Sequence, residues 1–499
     1  MKIYKIIGTF CALLIAHNLF AQSPGGISSH SVWLIGNFRP ETADQDLLNF
    51  NPVTSLDKSD LKIKLPAIET LQRSTIFTVY EDSTVDQATP IWKMTGDFGD
   101  LQLSPGVVSS KVQNSTVTFD EKSLKVSQAS KRKAIINTYM CNQGTATGSD
   151  NLNYKENSIR FGNPDVDQPN LHSLKSVSEF ILYERNLSDM EVSRIETYLA
   201  LKYGITLESN YINSADEVIW DYETDSRYSH HIAGILRDDK SGLLQKQGAG
   251  YNNPEKLEIG INKIEKLNTK NSGQLKDGDY LVWGDNDEGC RLKQNVVADA
   301  NDFILSDKKW LMRASGKNAE KIATEIKIDT KKFISGSLQK EDFYLVINRS
   351  GTGNFKESSC EYINPNNISA DKIASFSRII WDADGSGTDV FSFGYRPGFL
   401  ARMQQMTDST KNPNGTLKSF EVYPNPVSVD GNYQLSVELE NSTDVLIEIY
   451  DLSMKRLDSY KGSGQSSYLF SKHINGPPAT YFIRLLTPSF ESYRMMVIQ

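Results

Sequence analysis

Tyr433-Gln434-Leu435-Ser436-Val437-Glu438-Leu439 alternates apolar and polar residues without a break. The alternation returns at Val445, Ile447 and Ile449, and again at Tyr481, Ile483 and Leu485. A period of two puts each apolar set on one face of a strand, and such faces must bury themselves against one another. Residues 419–499 therefore read as a small β-sandwich. Tyr423-Pro424-Asn425-Pro426-Val427 introduces it, and its two prolines hold the backbone extended and exclude helix. The last run, from Tyr493 to Gln499, places Val497 and Ile498 in a final strand where a frayed end is the commoner outcome.

The chain has 499 residues, more than one core ordinarily serves, so several domains are expected. Apolar residues make up 38%, with 22 Tyr and 21 Phe, a balance suited to strand-rich modules. Acidic residues outnumber basic ones 62 to 54, and the longest basic run is Lys131-Arg132-Lys133. That distribution argues against a nucleic-acid partner.

The front of the chain reads as a secretory signal peptide over residues 1–21. Lys2 and Lys5 supply the charge, residues 6–16 the apolar stretch, and Leu19-Phe20-Ala21 the cleavage site. The apolar stretch is too short to span a membrane, and no second one follows, so no transmembrane segment is expected. Cleavage would leave Cys141, Cys290 and Cys360, an odd and sparse set that is no disulfide framework. At most one bridge could form, and the spacing does not choose the pair.

Strands are expected at 32–35, 75–80, 117–119, 134–139, 158–161 and 179–183, separated by polar loops. One helix is signalled, over 188–203. Ser188 and Glu191 form a capping box, Val192, Ile195 and Leu199 one apolar face, and Gly204 the stop. From 210 to 399 the chain again reads as strands, among them 325–328 and 344–347. Residues 400–418, rich in Gln, Asn, Thr and Ser, read as a linker.

Few stretches suggest chemistry. Asp382-Ala383-Asp384-Gly385-Ser386-Gly387-Thr388-Asp389 resembles the first half of an oxygen-rich calcium loop, with Asp382, Asp384, Ser386 and Asp389 as ligands. Phe393 stands where a helical loop would place its bidentate Glu, so this is no EF-hand. Asp285, Asp287 and Glu288, and Asp238-Asp239, are smaller acidic clusters. Asp221, Glu223 and Asp225 would share one face of a strand, as paired glycosidase carboxylates can. His230-His231 would face opposite ways in a strand, which opposes shared metal ligation. The six tryptophans are expected in cores, although any of them could serve as a sugar-stacking surface.

Three resemblances extend this reading. Tyr423 to Val427, Ile449-Tyr450-Asp451-Leu452-Ser453, Tyr481-Phe482-Ile483-Arg484-Leu485 and the terminal strand come in the order seen in the type A C-terminal sorting domain of the type IX secretion system. That resemblance assigns the sorting motif to Tyr423, Pro424, Asn425, Pro426, Tyr481, Arg484 and Val497, and implies the secretion machinery as a partner. Residues 24–207 resemble concanavalin A-like (laminin-G-like) jelly rolls. Pro24-Gly25-Gly26, Trp33-Leu34, Ser178 to Tyr183 and Tyr198 to Gly204 carry the likeness. His231 to Asp239, Tyr280 to Asn286 and Lys309-Trp310 are similar to a domain of unknown function found after such jelly rolls.

The expectation is thus an all-β protein of three domains: a jelly roll at 24–207, a second β-sandwich at 210–399 and an Ig-like sorting domain at 419–499. It would be a non-enzymatic protein, secreted or held at the outer cell surface, that binds glycan or protein in adhesion. A polysaccharide-degrading enzyme, or its carbohydrate-binding accessory, is the alternative.

Overall fold

The computed structural model describes residues 23–35, 46–55, 61–66, 68, 71, 73–82, 91–96, 99–104, 107–112, 115–120, 133–142, 157–161, 174–292, 303–334, 338–355, 360–395, 417–451, 456–473 and 477–499. The expected signal peptide, the linker up to residue 416, Leu452, Ser453 and the Cys141 side chain lie outside the described residues. The chain is all-β with a single α-helix among the described residues. It divides into two compact units. The first takes the chain to Thr224 together with Leu236–Gln245 and Leu275–Asp279; the second takes Asp225–Ile235, Lys246–Gln274 and Tyr280–Gln499.

The first unit contains strands β1 (Val32–Ile35), β2 (Leu61–Lys64), β3 (Arg73–Asp82), β4 (Trp92–Gly96), β5 (Gly99–Ser104), β6 (Val107–Val112), β7 (Ser115–Asp120), β8 (Lys133–Asn142), β9 (Ser158–Phe161) and β10 (Leu174–Tyr183). One antiparallel sheet runs β1-β10-β3-β8 and the other β7-β6-β5-β4-β9-β2. Ile76, Tyr80, Val177, Phe180 and Leu182 of the first meet Trp92, Met94, Leu103, Ile159 and Phe161 of the second in one buried cluster. The Trp92 indole, edge-on to Phe180 at 5.6 Å, donates to Thr78 Oγ1, so its one polar atom is satisfied inside the core.

Residues 176–183 of β10 are buried without alternation because both faces of this strand are covered. Phe180 and Leu182 face the sandwich core, while Glu179 faces helix α1 (Asp189–Tyr203). The capping box forms as the sequence requires: Ser188 Oγ accepts from Glu191 N, and Glu191 Oε2 accepts from Ser188 N at 2.9 Å. Gly204 stops the helix at φ 69°, a left-handed conformation that glycine adopts without strain. The helix docks through a buried charge. Glu179 Oε1 accepts from the Trp33 indole at 2.7 Å and Tyr198 OH at 2.9 Å; Oε2 accepts from Lys202 Nζ at 2.7 Å and Tyr203 OH at 2.8 Å. Four donors converge on one carboxylate that is 1% exposed.

The boundary expected near residue 207 is not where the first unit stops. Asp238, buried, accepts from Ser214 N and Oγ and from Ser241 N and Oγ, which ties 210–224 to 236–245.

The second unit adds β11 (His230–Asp238, up to Ile235), β12 (Glu258–Ile261), β13 (Tyr280–Asp285), β14 (Trp310–Ser315), β15 (Ala323–Asp329), β16 (Phe343–Asn348), β17 (Cys360–Ile363), β18 (Ile373–Ile380) and β19 (Thr388–Tyr395). One sheet runs β11-β13-β14-β19-β16-β17 and another β12-β15-β18. Their core is aromatic: Phe343 stacks on Phe393 at 5.8 Å, Trp310 on Phe391 at 5.5 Å, and Phe376 and Trp381 from the second sheet and its exit meet the same rings. Five of the six tryptophans are fully buried, Trp33 being the exception, so the core role prevails over a stacking surface for those five.

The C-terminal strands are β20 (Leu417–Tyr423), β21 (Asn432–Tyr450), β22 (Arg456–His473), β23 (Thr480–Leu486) and β24 (Glu491–Val497). They form one sheet, β20-β21-β23-β24, with β22 on β21. The two runs at 433–439 and 445–449 are a single strand whose pairing shifts between Glu438 and Val445. β20 pairs with its first half and β23 with its second. Both halves bury their alternating side chains in one core with Phe420, Val427, Tyr481, Ile483, Met496 and Ile498.

The Tyr-Pro-Asn-Pro-Val segment holds two cis prolyl bonds, at Pro424 and Pro426. Asn425 donates to Met495 O at 2.7 Å and accepts from Val497 N at 2.8 Å. Val427 bonds Val497 O and Gln499 N and bridges in parallel to Ile498. Tyr481 is buried with its hydroxyl on Pro477 O, and Arg484 pairs with Glu491 and Glu448.

Candidate functional site

A buried cluster of charge in the second unit gathers where β11 begins and β13 ends. Gly284 and Gly250 permit it, because a Cβ on Gly284 would collide with the Tyr228 carbonyl and one on Gly250 with the His231 carbonyl. His231 leaves the regular strand conformation, at φ 45°, and turns its Nδ1 to Asp285 Oδ2 at 2.9 Å. His230 does not join it among the described residues.

Asp285 is fully buried, and its Oδ1 accepts from Lys308 Nζ at 2.7 Å and Asp287 N at 2.8 Å. Burial alone would raise the Asp285 carboxyl, yet His231 and Lys308 hold it below its ordinary value. Lys308 is buried as well, 4.0 Å from Glu255 Oε2 and 5.9 Å from the centre of the Trp310 ring. Cys290 lies nearby; burial and the charge of Glu255 push its thiol up to about 12, which leaves it protonated and inert at neutral pH.

The ligand atoms of His231, Asp285 and Asp287 lie within 4.8 Å of one another, which would suit a metal ion. Both Asp285 oxygens are already committed, however, and a cation placed there would face the Lys308 ammonium. The arrangement serves better as a charge-balanced anchor that fixes the 284–288 loop.

The calcium-like loop is put to other uses. Asp382 Oδ1 accepts from Gly387 N at 2.6 Å, Asp384 Oδ1 from Ser386 N at 3.1 Å, and the Ser386 hydroxyl donates to Thr388 O at 2.9 Å. Asp389, expected as the fourth ligand, is buried on β19, where Oδ2 accepts from Asp382 N and Arg349 and, among the described residues, Oδ1 has no hydrogen-bond partner. Among the described residues, Asp382, Asp384 and Asp389 do not bring three ligand atoms to one point. The short side chains close the turn on itself, as Asp and Ser do in many turns without metal.

Burial outweighs Arg349 at Asp389 and pushes its carboxyl from 3.8 up to about 6. A carboxyl whose pKa is higher folded than unfolded takes up protons on folding, so its ionisation costs stability above that window and the cost is relieved as pH falls through it. Stability of the second unit should therefore gain a component of ~3 kcal/mol at most between pH 7 and 4. Asp389→Asn is expected to flatten that segment in denaturation midpoints measured against pH; an unchanged profile would assign the component elsewhere.

The remaining candidates are placed differently from the expectation. Asp221, Glu223 and Asp225 do not share a strand face. They lie in a turn, where Asp221 accepts from Glu223 N and Thr224 N and Asp225 forms a forked ion pair with Arg313. Asp239 pairs with Arg237.

A polar cavity of ≈ 300 Å³ is lined by Arg227, Asn286, Glu288, Asp307 and Lys309. Asn286 braces it, accepting from Lys309 N at 2.9 Å and donating to Asp307 O at 3.0 Å. The sequence had singled out Asp285, Asp287 and Glu288 as an acidic cluster and Lys309 only within a family likeness, and it had not singled out Lys308, Glu255 or Arg227. Their one visible signal was the Lys308-Lys309 pair set against a strand-leading tryptophan.

Fold and site together define an all-β protein whose buried charged residues brace loops. Residues 191–385, which hold the cluster and the cavity, match the model of a family described as Domain of unknown function (DUF8202). No curated protein matches the sequence. Among solved structures, the chain is similar to a Parabacteroides merdae beta-glucuronidase at 11% identity, over 35% of this chain and 27% of that one, with a TM-score of 0.15. It is similar to a Faecalibacterium prausnitzii beta-glucuronidase at 8% identity over 45% and 47%, TM-score 0.14. It is also similar to the BSP domain of a biofilm associated protein at 8% identity over 97% and 84%, TM-score 0.15. The chain spans about a quarter of the first of these. No helix among the described residues is long and apolar enough to cross a membrane.

Proposed function

We propose that the chain is a non-enzymatic protein, secreted or displayed at the outer cell surface, that acts by binding glycan or protein, and that its C-terminal module addresses it to the type IX secretion machinery. The observation that supports the address is the use made of the motif residues. Asn425 and Val427 do not decorate a loop; they bond the backbone of residues 495–499 and complete the module. A segment so placed is presented in one fixed form, as a recognition element needs to be. Binding is favoured over catalysis by the buried cluster, where the carboxylate is saturated and the thiol is quenched.

Removal of residues 419–499 is expected to abolish delivery, with the truncated chain retained in the cell fraction and the full-length chain in the medium or on the outer surface. Fractionation with an antibody to residues 23–224 reads the result. Normal delivery of the truncated chain would end the address reading and leave the binding role untouched.

A further inference from the structure

Arg227 and Lys309 face the same ≈ 300 Å³ cavity, and among the described residues neither has a carboxylate within 4.0 Å. Lys309 Nζ sits 5.4 Å from the centre of the Phe355 ring, and Arg227 Cζ 5.6 Å from that of Tyr228. Burial and the neighbouring Arg227 push the Lys309 ammonium below its ordinary value, with Asp307 pulling the other way. Two like charges held at one cavity cost free energy that a bound anion would offset. The same wall carries Glu288 and Asp307, whose oxygens would repel a bare anion yet suit hydroxyl donors. A ligand that satisfies both sets must join an anionic group to several O–H groups. The half-buried Phe355 ring adds an apolar face beside the cation. The volume sits at the small end of ligand pockets, enough for one or two sugar rings.

We propose that the cavity lined by Arg227, Asn286, Glu288, Asp307 and Lys309 binds an acidic sugar, with its carboxylate on Arg227 and Lys309 and its ring hydroxyls toward Glu288 and Asp307. The inference rests on the binding role proposed above and narrows it to uronate-containing glycans.

The test is calorimetric titration of the full chain with galacturonate and glucuronate oligosaccharides, with neutral galactose oligosaccharides and acetate as parallel probes. Uronate oligosaccharides are expected to bind and to weaken with added salt, while the neutral sugar and acetate give no heat. Arg227→Ala and Lys309→Ala are each expected to weaken uronate binding about tenfold or more, the scale of one charged hydrogen bond. Arg227→Lys should fall between. Arg227 is exposed, so its removal should leave the melting temperature of the chain unchanged, which separates lost binding from lost fold. Equal binding of neutral and acidic sugars, unchanged affinity in both alanine variants, or no uronate binding would each overturn the assignment. If no uronate binds while another glycan or protein binds the chain, the acidic-sugar assignment fails and the wider binding role stands.

Discussion

Lys308→Ala is expected to destabilise the second unit by about 3–5 kcal/mol, the usual consequence of leaving a buried charge without its partner. The ammonium it removes is 2.7 Å from Asp285 and 4.0 Å from Glu255, both of which stay buried. Asp285 would keep His231, but Glu255 Oε2 already has no hydrogen-bond partner and would lose its nearest positive charge. Urea denaturation followed through Trp283 and Trp310, both buried beside the cluster, reads the loss as a lower midpoint. If the charges themselves are the cause, Lys308→Met combined with Asp285→Asn and Glu255→Gln should recover most of it, because a neutral set asks for no balance. A midpoint that moves by less than the effect of an ordinary surface substitution would show that the cluster is solvated and that the anchor reading is wrong.

Glu179→Ala should be as costly in the first unit, about 3–5 kcal/mol, for the mirror-image reason. One carboxylate takes hydrogen bonds from Trp33, Tyr198, Tyr203 and Lys202. Its loss takes the acceptor from Trp33 and Tyr198, and leaves Tyr203 with Ser178 O and Lys202 with Tyr198 OH. Burial and the charge of Glu179 hold the Tyr198 and Tyr203 hydroxyls well above the usual phenol range, so both remain donors at any physiological pH. Glu179→Gln keeps the shape but turns an amide toward some of these donors, and should cost less than alanine. The Trp33 indole, part-buried and bonded directly to the carboxylate, gives a local fluorescence signal for the change. Equal stability of the alanine variant would mean that water replaces the carboxylate and that α1 docks on its apolar face alone.

Much of the architecture could be read from the sequence, and for a definite reason. Where one face of an element is dry, residues must repeat with that element's period: Tyr433 to Leu439 announced a strand, and Ser188, Glu191 and Gly204 announced both ends of the helix. Strands β4 to β6 were missed because Trp92 to Val112 is polar and Gly-punctuated; they pair as successive hairpins, and β4 also pairs with the distant β9. The runs at 433–439 and 445–449 were read as separate alternating stretches, whereas β21 carries on through the gap by shifting register.

The site was less legible still. Asp285 stood out only as part of an acidic run, and nothing local foretold that Lys308 and Glu255 would come to it from 23 and 30 residues away. The pair His230-His231 was discounted as a shared ligand set, and His231 alone joins Asp285. Asp382 to Asp389 carry residue types at cation-loop spacing, and their side chains hydrogen-bond within the turn.

The pairing of Val427 with Ile498 joins positions some seventy residues apart in sequence. A contact of that span pays its loop-closure entropy before it returns anything, so it belongs among the late events of folding. The proline-flanked segment thus acts as a seal on finished work, in place only when the strands between its two halves have already found their partners.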